Sequence, residues 1–475
     1  MSELIESFSG IRGIWGESLT EDVCRRYGFA YGTWLRGQYV QPKIVLGTDT
    51  RPSRIYVKRA LLEGLAVAEV TDIIDVGILS TPAVENAVRA FRADGGIIIT
   101  ASHNPPEHNG MKFLHASGAV LPVADAALVI TAAHDAAPPT VAVRHLGIDR
   151  RGEAIAAYLA HLEQSTGLQR EDVEQFSGRI LFDPNGGAGA EPAIAFAKHF
   201  TLGADFFHEK LGDFWRPIEP KVETIAPLAT RVADQGCAFA CAFDCDADRM
   251  EIVLPTASAF GIRTGSPVVS GQYVLALVVQ ALLETRPEAR RAPIIVNDAT
   301  SQVIAAIAAP YQTPVEEVEV GETNVVTRML ERQSLVGGEG SSGGSIVAPG
   351  QCRDGVQALA IILKYLVQTG QTLDQALMRL PVFITLATKV QCAGEQQAAV
   401  RQGLIDAYRA AGARVVTSGG ADGGVKAWVQ PDGWVWFRAS KTEPGIFRCI
   451  ADAKDRTIAY DLLEQAKMVF ARVAG

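Results

Sequence analysis

The chain alternates. An apolar run, KIVLGTDT (43–50), ends in polar residues and is followed by IYVKRALLEGLAVAEV (55–70), whose apolar residues recur at helical spacing. DIIDVGIL (72–79) is again strand-like, and PAVENAVRAF (82–91) reads as a helix opened by Pro82. GGIIITASHN (95–104) is the next buried strand running into a polar tip. Strand and helix in strict alternation, with apolar strands lacking a polar face, leave one economical solution: an α/β fold with helices packed on mixed or parallel sheets.

The pattern returns twice. GRILFDPNGGAG (178–189) and CAFACAFDCDADR (237–249) make a second group, and APIIVNDATSQVIAAIA (292–308) with SLVGGEGSSGGS (334–345) a third. The last hundred residues differ: GVKAWVQPDGWVWFRAS (424–440) is two strands about a Pro-Asp-Gly turn, and TIAYDLLEQAKMVFARV (457–473) is a closing helix. The expected division is an α/β domain over 1–150, a second over 151–257, a third over 258–368 and a smaller α+β domain over 369–475. At 475 residues the chain is too long for one core.

Bulk composition narrows the function. A net charge of −9 argues against a nucleic-acid partner and means that any phosphate site must be built locally. The longest apolar stretch, YVLALVVQALL (273–283), is too short to span a bilayer, and MSELIESFSGIRG (1–13) is not a signal peptide, so no membrane role is expected. Seven scattered cysteines without a C-x-x-C pair suit a reducing cytoplasm. Cys237, Cys241 and Cys245, spaced by fours, read as small apolar residues of a strand rather than metal ligands. Nothing distinguishes a monomer from a homo-oligomer.

Four loops carry chemistry, and all follow strands, where open α/β folds bind ligands. In TASHNPPEHNGMKF (100–113), Ser102 stands at a strand mouth, with Lys112 beyond the turn able to neutralise an anion or move a proton. Ser102 and His103 are adjacent and point to opposite faces of an extended segment, so they do not make a nucleophile–base pair. In DCDADR, alternation puts Asp244, Asp246 and Asp248 on one face, and three carboxylates together call for a hard cation such as Mg²⁺. A calcium hand is excluded because, counted from Asp244, the sixth residue is Arg249 and the twelfth Pro255. Arg249 could hold a phosphate oxygen. GGEGSSGG offers Glu339 beside Ser341, a set suited to sugar hydroxyls. RASKTEP offers Arg438, Ser440, Lys441 and Thr442 as a phosphate cradle.

Together, and in this order, the four loops resemble the alpha-D-phosphohexomutase family, which includes phosphoglucomutase, phosphomannomutase and phosphoglucosamine mutase. SGIRG (9–13) is similar to the family's N-terminal signature, with Arg12 as its arginine. The resemblance implies four domains around a central cleft and a phosphosugar substrate. It implies that Ser102 is a phosphoserine bridged to Mg²⁺ on the three aspartates. A hexose 1,6-bisphosphate would be intermediate and activator, and Lys112 or His103 would move the proton. Glu339 and Ser341 would grip the sugar, and the loop at Arg438 the phosphate that is not reacting. Phosphoglucomutase/phosphomannomutase activity is the leading expectation, with phosphoglucosamine mutase, or a phosphosugar phosphatase, as alternatives. Four departures stand out: Cys245 for a usual glycine, Gly343 where many bacterial relatives have histidine, Lys441 for glycine or asparagine, and one extra residue before Arg448.

Overall fold

The computed structural model describes residues 3–143, 147–440 and 445–475. Contacts divide them into two compact units. The first comprises Met1–Gly261, Ser266–Ser270 and Ile346–Leu373; the second comprises Ile262–Gly265, Gly271–Ser345 and Asp374–Gly475.

The first unit holds two mixed sheets. One has seven strands in the order Ile5–Ser7, Gly10–Ile14, His108–His115, Gly95–Ile99, Lys43–Thr48, Asp72–Ile78, Ile148–Asp149. Lys43–Thr48 lies parallel to both neighbours, while His108–His115 runs antiparallel and carries the chain back from the Ser102 loop. The other sheet has five strands, with Phe239–Phe243 and Ile180–Asp183 parallel and Met250–Val253 antiparallel. In both, the central strands are buried along their whole length, which is why they read as continuous apolar runs.

Helix Glu21–Arg36, capped by the Thr20 hydroxyl on the Val23 amide, crosses helix Arg54–Val67 at backbone contact. Gly28 and Gly64 make this possible. A Cβ at Gly28 would lie 2.3 Å from the Leu61 carbonyl oxygen, and one at Gly64 would lie 2.1 Å from that of Arg25.

The second unit holds a four-stranded sheet, ordered Val315–Val318, Ile294–Asn297, Val336–Glu339, Gly344–Val347, and a five-stranded sheet in which every adjacent pair is antiparallel. Its hairpin Val425–Gln430 and Gly433–Ala439 turns at Pro431-Asp432, as the Pro-Asp-Gly signal predicts. Helices Gln397–Ala410 and Arg456–Ala474 pack on one face through Leu404, Phe437, Phe447 and Phe470.

The segment Ile346–Leu373 follows the third sheet in sequence, and sequence analysis puts most of it in the third domain. By its contacts it joins the first unit. Its helix, Gly355–Thr369, is capped by Asp354, whose Oδ1 accepts from the Val356 and Gln357 amides and from the Tyr158 hydroxyl at 2.7 Å. Gln357 bonds Ser165, and Lys364 pairs with Asp172 at 2.7 Å. Burial raises the Asp354 carboxyl to about 6, against the pull of these donors and of Arg89. The native state therefore binds this proton more tightly than the unfolded chain does. Its contribution to stability is complete only well below pH 3.8, the ordinary value, and is lost as pH rises through about 6. Asp354→Asn keeps the acceptor and removes the titration. Denaturant unfolding at pH 4 and pH 7 should show that the wild type loses more stability over this range than the variant does, by on the order of 2–3 kcal/mol.

Candidate active site

Ser102 lies just past strand Gly95–Ile99, in a left-handed backbone conformation (φ 50°) uncommon outside glycine. Two groups hold it there. The Thr100 hydroxyl accepts from the Ser102 amide at 2.9 Å. Beneath the loop, Arg51 donates from Nη2 to the carbonyls of Ser102 (2.8 Å) and Asn104 (2.6 Å). Arg51 is fully buried and pairs with the equally buried Asp49 at 3.3 Å. Neither was singled out from sequence. The available signal was the pair of opposite charges directly after the apolar strand Lys43–Thr48.

Strand Phe239–Phe243 delivers the acids. Asp244, Asp246 and Asp248 have no exposed surface, and one oxygen of each lies within 4.8 Å of the others. Ala247 takes a left-handed turn between them (φ 52°). The Ser102 hydroxyl is 3.4 Å from Asp244 Oδ2, so the serine loop and the acidic loop meet.

Three cations answer the three carboxylates. Lys112 Nζ lies 3.2 Å from Asp246 and 3.9 Å from Asp248. Arg249 Nε is 3.7 Å from Asp244 and 3.8 Å from Asp248. Arg353 Nη2 donates to Asp248 Oδ2 at 2.5 Å. Arg353 was also missed from sequence; it sits over a hundred residues from the acidic loop and is delivered by the capped helix that begins beside it. Thr81 donates to Asp246 at 2.7 Å.

The acids diverge in proton affinity. Burial, and then the charges of Asp248 and Asp246, push the Asp244 carboxyl well above the usual carboxylate range. Burial works in the same sense on Asp248, but Arg353, Lys112 and Arg249 outweigh it and hold that carboxyl far below the range. Asp246 Oδ1 and Asp248 Oδ1 are buried and accept no hydrogen bond among the described residues. Unused, dry carboxylate oxygens on convergent acids fit a hard divalent cation.

The remaining first-unit residues surround this centre. Arg12 donates to the Asn104 side chain at 3.4 Å; burial lowers its pKa, with Asp246 acting in the opposite sense. His103 Nδ1 lies 3.0 Å from Arg249 Nη2; because the arginine can only donate, Nδ1 is the acceptor and the ring proton of neutral His103 sits on Nε2. Cys245 points away from the acids: its Sγ is 3.6 Å from the Thr50 hydroxyl.

In the second unit, Glu339 ends strand Val336–Glu339, and its Oε1 accepts from Asn297 Nδ2 (3.0 Å) and the Gly321 amide (2.7 Å). Asn297 also donates to the Ser341 hydroxyl at 3.0 Å, so Glu339 and Ser341 share one organiser that sequence analysis did not single out. Gly343 adopts φ 74°, a conformation that suits glycine. Arg438 Nη2 donates to Glu319 Oε1 at 2.6 Å. Arg448, despite the extra residue before it, stands directly across from Arg438 in the antiparallel pair. The Ser440 amide bonds the Ile446 carbonyl. Lys441 and Thr442 lie outside the described residues.

Comparison with known proteins finds similarity along nearly the whole chain. The profile described as Phosphoglucomutase/phosphomannomutase, alpha/beta/alpha domain I matches residues 6–139, and that for domain III matches residues 270–383. A phosphoglucomutase/phosphomannomutase of Thermococcus kodakarensis is 31% identical over 474 residues, covering 98% of this chain and 97% of its own. A phosphoglucosamine/phosphogalactosamine mutase of Sulfurisphaera tokodaii is 25% identical over 469 residues, covering 97% of both. A crystal structure of a phosphoglucomutase/phosphomannomutase family protein from Burkholderia thailandensis superposes with a TM-score of 0.80 at 22% identity, over 99% of this chain and 97% of that one, and shares its fold. With a serine at a strand mouth, a buried aspartate triad and full-length similarity in hand, the chain belongs to the alpha-D-phosphohexomutase family.

Proposed function

We propose that this protein interconverts a hexose 1-phosphate and the corresponding hexose 6-phosphate, with Ser102 as the phosphoryl carrier, and that it acts as a phosphoglucomutase/phosphomannomutase. The observation that carries this reading is the meeting of the Ser102 hydroxyl with Asp244, 3.4 Å away, inside a ring of three buried acids and three cations. Phosphoryl transfer asks for positioning and charge neutralisation more than for covalent assistance, and that is what this ring offers.

The step is a displacement at phosphorus. The bond between phosphorus and Ser102 Oγ breaks, a bond to the free sugar hydroxyl forms, and the hydroxyl proton passes to the protein. Reversal from the other end of the sugar bisphosphate restores the phosphoserine. Lys112, buried beside Asp246 and Asp248, gives a proton to the departing Ser102 oxygen in this reading. His103, oriented by Arg249, is the second candidate for proton movement. Arg12 and Arg249 supply further positive charge to phosphoryl oxygens. Mg²⁺ on Asp244, Asp246 and Asp248, when bound, would neutralise charge on the transferring group. Arg51 keeps the Ser102 loop in its left-handed turn, so the oxygen faces the acids rather than solvent. Glu339 and Ser341 take sugar hydroxyls, and Arg438, with Ser440, Lys441 and Thr442, the phosphate at rest. The division into four domains, at 150, 257 and 368, belongs to the same proposal, as does a cytoplasmic location.

The sugar is the open choice. The Thermococcus relative is named for glucose and mannose, and the Sulfurisphaera relative for amino sugars. Parallel rates with glucose, mannose and glucosamine 1-phosphates, each primed with a trace of its bisphosphate, decide between them. Faster turnover of either neutral sugar supports the present reading. Dominant turnover of glucosamine 1-phosphate selects the alternative, and release of inorganic phosphate without the 6-phosphate selects a phosphatase.

Two predictions follow from the geometry. Ser102→Ala should lose nearly all mutase activity while unfolding at close to the wild-type temperature, because the hydroxyl's hydrogen bond to Asp244 is long, 3.4 Å. Undiminished turnover would remove Ser102 from the mechanism. For the metal, EDTA should abolish activity and Mg²⁺ restore it. Asp246→Asn should need about tenfold more Mg²⁺, or beyond, for half-maximal rate, the scale on which weakened coordination is felt. A wild-type rate indifferent to EDTA would contradict the metal assignment.

A further inference from the structure

Arg438 is more than nine-tenths buried, yet its guanidinium is only half used on one edge. Nη2 donates to Glu319 Oε1 at 2.6 Å, while Nε, also buried, has no hydrogen-bond partner among the described residues. Nε and Nη2 form the side-on fork with which arginine grips a carboxylate or phosphate through two parallel bonds. Glu319 takes one tine of that fork and leaves the other empty.

Glu319 is also closely held. Gly419 lies against its carboxylate in a left-handed conformation (φ 63°), and a Cβ there would come within 2.2 Å of Glu319 Cδ. Two residues on, the Gly321 amide donates to Glu339. The tripeptide Glu319-Val320-Gly321 therefore touches both the arginine assigned to phosphate and the carboxylate assigned to sugar. Beside it, Glu317 pairs separately with Lys426 at 2.6 Å, so packing here has an ion pair independent of Glu319.

We infer that Glu319 is an internal stand-in for phosphate: its carboxylate occupies Arg438 in the resting enzyme, and the phosphate of the phosphosugar displaces it to take both Nε and Nη2. The inference rests on the proposed role of Arg438 in holding phosphate. A buried guanidinium without a counter-ion is costly, so the empty enzyme needs an anion here. A carboxylate bonded through one tine satisfies that need and still yields to a phosphate that can fill two. Glu319 thus sets how firmly the enzyme grips phosphosugar, and keeps the grip weak enough for a bisphosphate to let go and turn over.

The test compares wild type, Glu319→Gln, Glu319→Asp, Glu317→Gln and Arg438→Ala. It uses inorganic phosphate as a competitive inhibitor and glucose 1-phosphate as substrate. Glu319→Gln should lower both the phosphate inhibition constant and KM by about three- to tenfold, because the competitor has lost its charge. Its melting temperature should fall in phosphate-free buffer and recover as phosphate is added. Glu319→Asp, still charged but shorter by one methylene, should shift the constants in the same direction by less. Glu317→Gln removes the same charge two residues away and should change them by under twofold. Unchanged or higher constants in Glu319→Gln, with Arg438→Ala still weakening phosphate, would overturn the stand-in and leave the phosphate role of Arg438 in place. An Arg438→Ala enzyme that binds phosphate as the wild type does would overturn that role itself.

Discussion

Three carboxylates buried at the end of one strand are the constraint around which the first unit is arranged. Asp244, Asp246 and Asp248 have no exposed surface, and such a cluster persists only with positive charge supplied from elsewhere. Each cation arrives from a different part of the chain. Lys112 comes from a strand of the first sheet, Arg249 from the acidic loop itself, and Arg353 from the segment that precedes a capped helix. The cap on that helix, Asp354 held by Tyr158, is thus part of what fixes Arg353 against Asp248. Structure far from any motif is recruited to hold one carboxylate ionised and in place.

The same logic accounts for what sequence could and could not show. The apolar strands were legible because they are buried on both faces, so their hydrophobicity is continuous. The acids were legible as three carboxylates directly after an apolar strand, but what brings them together is a turn past Phe243 with Ala247 left-handed, not the extended alternation expected from sequence. Cys245, between Asp244 and Asp246, turns its thiol toward Thr50 rather than joining the acids. Residues that work through tertiary contact were not legible. Arg51 props up a loop some fifty residues away, Asn297 joins Glu339 to Ser341, and Glu319 meets Arg438 across more than a hundred residues. No local pattern marks such partners, because only the fold brings them together. The segment Ile346–Leu373 shows the same limit at larger scale: chain order suggests one neighbour, and its hydrogen bonds are made with another.

The second unit handles charge differently. Where the first concentrates acids, the second spreads ion pairs along one sheet face, with Lys426 on Glu317 and Arg438 on Glu319, beside the buried rings of Trp434 and Trp436. Of these pairs, that of Arg438 leaves its buried Nε without a hydrogen-bond partner among the described residues. On the proposed reading, in which Arg438 holds a phosphate and then releases it, an incomplete internal partner serves better than none or a perfect one.

The central claim is that Ser102 carries the phosphoryl group. The most direct measurement is to incubate the protein with glucose 1,6-bisphosphate radiolabelled in its phosphates, digest it and identify the labelled peptide. The account predicts label on Ser102 alone, and its transfer into glucose 6-phosphate when unlabelled glucose 1-phosphate is added. Label on another residue, or release as inorganic phosphate with Ser102 never labelled, would contradict it.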